Sequence, residues 1–400
     1  MGEIKIPEPA DIPATADIVV IGGGIVGCAT AFWASQAGLA TVLLEKREAL
    51  CILTTPASAE AVRCQFDERE NVEMMKASLD IFEHFDKIIG IPGYNNNFHQ
   101  QGYPFITSKD NGPQTLQDRV RRQHSWGLPD VEYLNGKEAR HRFPYLAPIV
   151  TAATFRQRDG WLSTQKVTYG FAKGSIARIF LKTEATGFIL DKLGISDVQT
   201  NRGPIHTRIV VIAAGPFSGK LAEFAGVKLP LTIERRQKAI IRSPLVPQNA
   251  PMTIDLDTGA YWHPEPGGGI LGWSEAVEEK PSEPLDFVSV DMEYPTLAIK
   301  GCSRLSQFWK KITETLKRGD VVSSAGQYTI TPDAKPILSP LIEVLGLFFN
   351  GGYSGHGIMG APEGSRRIVE MIMGRLQAEE NPFRRERFVE MGVKKERLMI

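Results

Sequence analysis

Between Ile18 and Leu44 the chain contains no Asp, Glu, Lys, Arg or His. Other absences are compositional. Of its 400 residues only four are cysteine, at 28, 51, 64 and 302, and no two form a C-x-x-C pair; the seven histidines are scattered. Neither a disulfide framework nor a metal site is indicated, and a reducing cytoplasm suits the chain. Net charge is also missing: Lys plus Arg and Asp plus Glu each total 46. No broad attraction to nucleic acid or to an anionic membrane is expected, so an anionic ligand has to be held locally. The opening stretch MGEIKIPEPADIPATAD has Pro and acids where a secretory signal needs an apolar run, and Ile6 where myristoylation favours Ser or Thr. It reads as an exposed arm. There is no internal repeat and no low-complexity tract, and 42% hydrophobic residues over this length suit a two-domain globular enzyme.

The charge-free segment is long enough to span a bilayer, but its internal pattern argues otherwise. Ile18 to Ile21 is a β-branched run suited to a strand buried on both faces, and it stops at Gly22, Gly23 and Gly24. Apolar residues then follow a helical course from Ile25 through Phe32 and Trp33 until Gly38, and Ala40 to Leu44 reads as a second buried strand. This is a βαβ unit with Gly22-x-Gly24-x-x-Gly27 at the strand-to-helix turn, the context in which that spacing signals dinucleotide binding. Gly22 permits the tight turn, Gly24 the approach of a pyrophosphate, and Gly27 close packing of the helix on the sheet. Glu45 closes the second strand at close to the roughly 20-residue offset where a carboxylate meets ribose hydroxyls. The competing reading is a glycine-rich core turn.

Later segments repeat this logic. Thr54 to Ala61 is a small-residue loop leading to an amphipathic helix over about 70–85. The stretch 91–150, rich in Asn, Gly, Pro and Gln, reads as a substrate-side excursion. Ile209 to Ile212 is another buried strand, ending in Ala213-Ala214-Gly215 before a helix near Ser218; Gly215 to Lys220 is too short for a phosphate loop, and Leu221 stands where a Ser or Thr belongs. Strand-like pieces over 226–324, with a helix near 292–317, suit a mostly antiparallel sheet covering a pocket. Leu345 to Phe349 forms a strand running into a glycine cluster, with Pro362 and Glu363 marking a helix start and Gly374 its end. A helix N-terminus there would stabilise negative charge on a ring that accepts hydride, which favours flavin over nicotinamide.

On DIVVIGGGIVGCATAFWASQAG, LLEK, AVRCQFDERENV, VVIAAGPFS, TPDAKPIL and GGYSGHGI, the chain resembles the D-amino-acid oxidase-like family of flavoproteins. Within it, the likeness is to sarcosine oxidase β subunits, dimethylglycine dehydrogenases, glycine oxidases and β subunits of dye-linked proline dehydrogenase. It extends from Asp17 to Gly374. The resemblance implies an α/β plus α+β architecture: a Rossmann-like FAD-binding domain with a parallel sheet (1–90, 151–225 and 325–385), a second domain with a largely antiparallel sheet and helices (91–150 and 226–324), and a tail at 386–400. The implied activity is oxidation of the C–N bond of a small or N-alkyl amino acid (sarcosine, dimethylglycine, glycine or proline-like) by hydride transfer to flavin N5. Oxygen or an electron carrier would reoxidise the flavin.

Carried over by position, the resemblance assigns the pyrophosphate to Gly22, Gly24, Ile25 and Gly27, and the adenosine to Glu45 and Lys46. It assigns the loop passing the flavin to Thr54, Thr55, Ala57 and Ser58, and further cofactor contacts to Ala185, Ala214, Gly215 and Gly326. Gly355, His356, Gly357 and Ile358 fall at the pyrimidine edge. Arg63 matches an arginine that clamps the substrate carboxylate, the alternative being a salt bridge to Asp67 or Glu68. Tyr261 matches an aromatic facing the substrate, the alternative being a core residue; His356 either donates to the ring or braces its loop. There are departures. Gly326 replaces a flavin-tethering Cys, so FAD is expected to be non-covalent; Met359 and Tyr328 replace a Lys and an Arg of the familiar carboxylate clamps; STQKVTYGF lacks the His that would attach FMN. Three alternatives remain open: a 2-hydroxy acid or glycerol phosphate oxidoreductase, a partner-dependent FAD subunit, and a homo- or hetero-oligomer. No metal, nucleic acid or membrane span is expected.

Overall fold

The computed structural model describes residues 2–273, 280–390 and 396. A seven-stranded sheet runs in the order Glu3–Lys5, Arg178–Phe180, Thr41–Leu44, Ile18–Ile21, Val210–Ile212, Leu347–Gly351, Ile337–Pro340. All neighbours are parallel except the last pair. The central strands are continuous apolar runs because both faces are covered. Ile18 and Val20 point into a core with the helices Ile25–Gln36, Thr164–Gly174 and Gly357–Ile372, whereas Val19 and Ile21 point into a second core with Ile195, Val198 and Ile205 of a three-stranded sheet. Helix Ile25–Gln36 carries no charge because it is packed between the sheet and the other two helices.

The N-terminal stretch is not simply an exposed arm. Glu3–Lys5 pairs in parallel with Arg178–Phe180 and covers the hydrogen-bonding edge of the sheet. A signal this short has no readable period.

The second large sheet has eight strands: Val321–Ile330, Thr232–Arg242, Gly268–Trp273, Ala260–Glu265, Thr253–Asp255, Tyr103–Thr107, Ala152–Arg156, Glu132–Asn135. It is antiparallel apart from Thr253–Asp255 against Tyr103–Thr107. Ala152–Arg156 and Val321–Ile330 lie in this sheet, whereas boundaries at 151 and 325 would put the first wholly and the second partly with the parallel sheet. Each is held by a partner far away in sequence, Tyr103–Thr107 and Thr232–Arg242, and no local pattern encodes such pairing. The expected helix over 292–317 is two, Tyr294–Ser303 and Phe308–Thr313. Between them the chain leaves helical geometry so that Leu305 can accept from Ala147 N and Gln307 N can donate to Tyr145.

Two further boundaries move. The strand expected at Leu345 begins at Leu347, after Gly346 (φ +84°). The last long helix starts at Gly357, so Pro362 lies inside it rather than at its start. Ser354 and Gly355, both left-handed at φ +50° and +93°, turn the chain into that helix.

The tightest contact in the parallel sheet lies under the first turn: a Cβ on Gly27 would overlap the Gly22 carbonyl. Gly27→Ala is therefore expected to lower the unfolding free energy by about 1–3 kcal/mol, the usual cost of overpacking. Denaturant titration of the purified variant measures it, and wild-type stability would refute the contact.

Candidate active site

The C-terminal ends of Ile18–Ile21, Thr41–Leu44, Val210–Ile212 and Leu347–Gly351 open onto a cavity of about 380 Å³, within the range of cofactor pockets. Gly22, Gly24, Ile25, Glu45, Lys46, Thr54, Thr55 and Ser58 line it, as do Ala185, Ala214, Gly215, Gly355, Gly357 and Ile358. Four residues expected at its wall are not on it, His356 among them. Gly27 lies beneath Gly22, and Gly326 and Ala57 are pressed together, a Cβ at Gly326 falling 2.8 Å from that of Ala57. These three set how closely the elements approach rather than touching the space between them.

Two long helices point their N-termini at this cavity. Helix Ile25–Gln36 has Gly24 at its N-cap, and helix Gly357–Ile372 has His356; neither has a side-chain cap or an acid in its first turn. Apart from Ile25 N, which donates to Thr55 Oγ1 at a long 3.4 Å, the first-turn N–H groups have no side-chain acceptor among the described residues, and at the positive end of a helix dipole they suit an anion. The cavity, its glycine floor and these helix ends fit a diphosphate-bearing dinucleotide.

Glu45 has a structural task that spacing did not reveal. Its Oε2 accepts from Gly23 N at 2.7 Å and its Oε1 from Arg47 N at 2.8 Å, so the carboxylate fixes the glycine turn. Gly23 is the residue missed: a Cβ there would lie 2.6 Å from Leu50 and 2.8 Å from Glu45 Oε2. Lys46 lies 3.6 Å above the Phe217 ring and pairs with Asp286 at 2.6 Å, and Arg47 reaches the same carboxylate at 2.7 Å. Phe217 and Lys220, on the segment rejected as a phosphate loop, also line the cavity.

Ser58, Tyr328, Gly355 and Ile358 form a wall shared with a second, smaller space of about 30 Å³. Arg63, Tyr103, Tyr261, His356, Met252 and Met359 line it. His356 thus faces this space rather than the larger one. Tyr103 and Met252 were not read from sequence, because strand Tyr103–Thr107 lies in a stretch without a helical or alternating pattern. Tyr328 and Met359, noted only as departures from the related clamps, both stand on the wall.

Arg63 is 1% exposed. It donates through Nη1 to the Gln65 carbonyl at 2.7 Å, and its Nη2 lies 3.3 Å from His356 Nε2. A guanidinium cannot accept, so Nε2 is the acceptor and His356 carries its proton on Nδ1. The Arg63 guanidinium also lies 4.2 Å from the Phe66 ring centre and 5.1 Å from that of Phe105. Asp67, one of the expected partners, instead takes Arg119 at 2.9 Å and Arg122 at 3.3 Å.

Behind Arg63, fully buried Gln65 donates to the Tyr103 carbonyl at 2.9 Å and to Asp159 at 3.2 Å, and accepts from Thr154 at 2.8 Å. Asp159 in turn holds Cys64 N and Arg156. A buried network thus fixes the carbonyl that orients Arg63. Burial pulls the Arg63 guanidinium below the usual arginine range, and pushes the phenols of Tyr103, Tyr261 and Tyr328 upward, so all three remain neutral hydroxyls.

The family model for FAD-dependent oxidoreductases, DAO, matches residues 17–371. The chain belongs to this family. It is an FAD-dependent oxidoreductase. It is 25% identical over 408 residues to FAD-dependent oxidoreductase domain-containing protein 1 of Bos taurus, covering 90% of this chain and 82% of that protein. Mitochondrial sarcosine dehydrogenase of Mus musculus is 24% identical over 362 residues, covering 87% of this chain but only 38% of the larger protein. The crystal structure of L-proline dehydrogenase from P. horikoshii superposes with a TM-score of 0.84 at 26% identity, covering 96% of this chain and all of that one. Glycine oxidase from Geobacillus kaustophilus shares the fold with a TM-score of 0.81 at 19% identity, over 93% of this chain and 99% of that one. Among the described residues no helix is long and apolar enough to cross a membrane, and no acid, His and Cys group could hold a metal ion.

Glu45→Ala removes the carboxylate that fixes the Gly23 amide. The apoprotein is expected to bind FAD at least tenfold more weakly, measured by quenching of flavin fluorescence on titration. An unchanged dissociation constant would remove Glu45 from the site.

Proposed function

We propose that the protein oxidises the C–N bond of a small amino acid or N-alkyl amino acid, with a non-covalent FAD in the larger cavity and the substrate in the smaller. The observation that carries this reading is the shared wall: a buried arginine, three neutral tyrosines and two methionines surround a small space that abuts the FAD cavity through Ser58, Tyr328, Gly355 and Ile358. The relatives named for sarcosine and proline support the substrate class.

FAD, when bound, supplies the acceptor for a hydride leaving the carbon beside the substrate nitrogen. Arg63 binds the substrate carboxylate, since a guanidinium matches two oxygens at once. The Gln65 carbonyl and His356 hold that guanidinium in register, and the tyrosine hydroxyls orient the substrate without adding charge. The aromatic and thioether walls exclude water, which disfavours an ammonium and leaves the nitrogen lone pair available to push the hydride out. Loss of hydride leaves a C=N bond; water then adds to it, giving a carbonyl compound and an amine.

A hydroxy acid fits less well. Its hydroxyl is far less acidic than an ammonium group and would need a base stronger than a carboxylate during hydride transfer, and the imidazole at this space already uses Nε2 to accept from Arg63. Arg63→Ala is expected to raise the substrate KM by roughly 30- to 1000-fold, about 2–4 kcal/mol of lost carboxylate binding, while FAD absorbance is retained. The test of the whole reading is anaerobic bleaching of the purified holoprotein by sarcosine, dimethylglycine, proline or glycine. Bleaching by a 2-hydroxy acid alone would replace it, and bleaching by none would favour a partner-dependent subunit.

A further inference from the structure

The smaller space carries a second charged residue that the mechanism above leaves unused. Glu60 lines it together with Arg63, and no other carboxylate does so among the described residues. Its backbone sits in the left-handed region at φ +62°, uncommon for a residue with a side chain. That conformation is fixed from both sides: Glu60 N donates to Ser58 Oγ at 3.1 Å, and its carbonyl accepts from Leu162 N at 3.0 Å. The side-chain direction therefore follows from an over-determined turn rather than from the carboxylate's own bonding.

That bonding is weak. The only side-chain hydrogen bond to the Glu60 carboxylate among the described residues is from Thr164 Oγ1, at 3.4 Å, long for a charge-assisted contact. Lys238 Nζ stands 4.0 Å away and directs its short bond, 2.7 Å, to the Ser58 carbonyl instead. The other titratable groups around this carboxylate do not complete it. Glu265, on the neighbouring strand, is itself pushed up to about 7 by burial first and by Glu60 second. Burial brings His263, which faces Lys238, down to about 4, so its ring is neutral. Cys51 is a thiol, raised to about 11. Burial also raises the Glu60 carboxyl above its ordinary value, against the pull of Lys238.

One cation and one anion thus face a small space otherwise walled by neutral groups, which matches a zwitterion. We propose that Glu60 is the counter-ion of the substrate nitrogen and takes its proton: Arg63 holds the carboxylate of the amino acid while the Glu60 carboxylate accepts a proton from its ammonium group. In this step an N–H bond breaks, an O–H bond forms, and the electron pair stays on nitrogen. No electrons leave the substrate until the hydride does. The inference rests on the proposed amino-acid activity and adds the group that makes the space select an amine over an alcohol or a simple carboxylic acid.

The experiment uses the FAD-loaded protein and Glu60→Gln, with retained flavin absorbance as the check of folding. Anaerobic flavin reduction by whichever amino acid bleaches the wild type is followed from pH 5 to 9. In the wild type the rate levels off once Glu60 is ionised; in Glu60→Gln, with no proton acceptor in the site, it follows the neutral fraction of the free amine and keeps rising to pH 9, and the half-saturating concentration rises at least tenfold. Acetate, a carboxylate without a nitrogen, should bind Glu60→Gln as tightly as the wild type or more tightly, because the repelling anion is gone. Equal half-saturation within twofold, with the same levelling-off as the wild type, would overturn the role of Glu60 and leave the amine activity standing. Failure of every amino acid to bleach the wild type would overturn the activity as well. Should Glu60→Gln lose FAD, acetate binding to the wild type gives the answer: it tightens as pH falls from 8 to 5 if Glu60 faces the ligand, and is flat if it does not. Glu265→Gln must keep that dependence, since Glu265 also titrates there.

Discussion

The carbonyl of Gly22 sits where a side chain on Gly27 would have to go. This backbone contact sets the distance between the first strand and the helix that follows, and much of the molecule is arranged around that distance. Because helix Ile25–Gln36 lies close to the sheet, helix Gly357–Ile372 can pack on it, tied by Asn350 Nδ2 donating to both Thr30 and Ser365 at 3.0 and 3.1 Å. Two helix N-termini separated by more than 300 residues of chain then face one cavity. Neither end is capped by its own side chains, so both leave amides suited to an anion such as the phosphates of a dinucleotide.

The eight-stranded sheet is joined to this centre through the loop at 54–60. Thr54 Oγ1 donates to the Gln327 carbonyl at 3.0 Å, Lys238 donates to the Ser58 carbonyl, and Gly326 leaves room for Ala57. That loop therefore does three things at once: it walls the larger cavity, walls the smaller space, and couples the two sheets. Its small residues, Thr-Thr-Pro-Ala-Ser-Ala, let strands approach closely from one side and leave the cavity open on the other.

What the sequence revealed follows from how local each signal is. The strand, glycine turn, helix and strand from Ile18 to Leu44 are encoded within one stretch, so their elements, the turn and Glu45 were all readable. Arg63 was singled out only through resemblance, and its contacts with Gln65 and His356 beside the smaller space were not legible at all, since the His356 contact depends on how distant segments meet. Gly23 escaped because the motif counts only three glycines, while its side-chain space is taken by Leu50 and Glu45. Tyr103 escaped because its strand, buried at every position, shows no alternation. Pro362 misled for a physical reason: proline favours a first turn, but the left-handed pair Ser354 and Gly355 starts this helix earlier, and the Pro362 carbonyl is used by Trp33 Nε1 at 3.0 Å.

The titratable groups around the smaller space also report what kind of medium it is. A local positive charge would pull phenols down, and a local negative charge would push guanidinium and imidazole up. Neither is seen. Tyr103, Tyr261 and Tyr328 move up, while Arg63 and His263 move down. Acids and bases shift in opposite directions, each toward its neutral form, and desolvation is the first cause in every case. The space is therefore a low-dielectric one rather than a field of one sign. In such a medium an ammonium group is penalised in the same way as the imidazolium of His263. For the proposed amine activity, such walls also favour the neutral amine from which hydride leaves, and the Glu60 carboxylate proposed as acceptor gives the displaced proton somewhere to go.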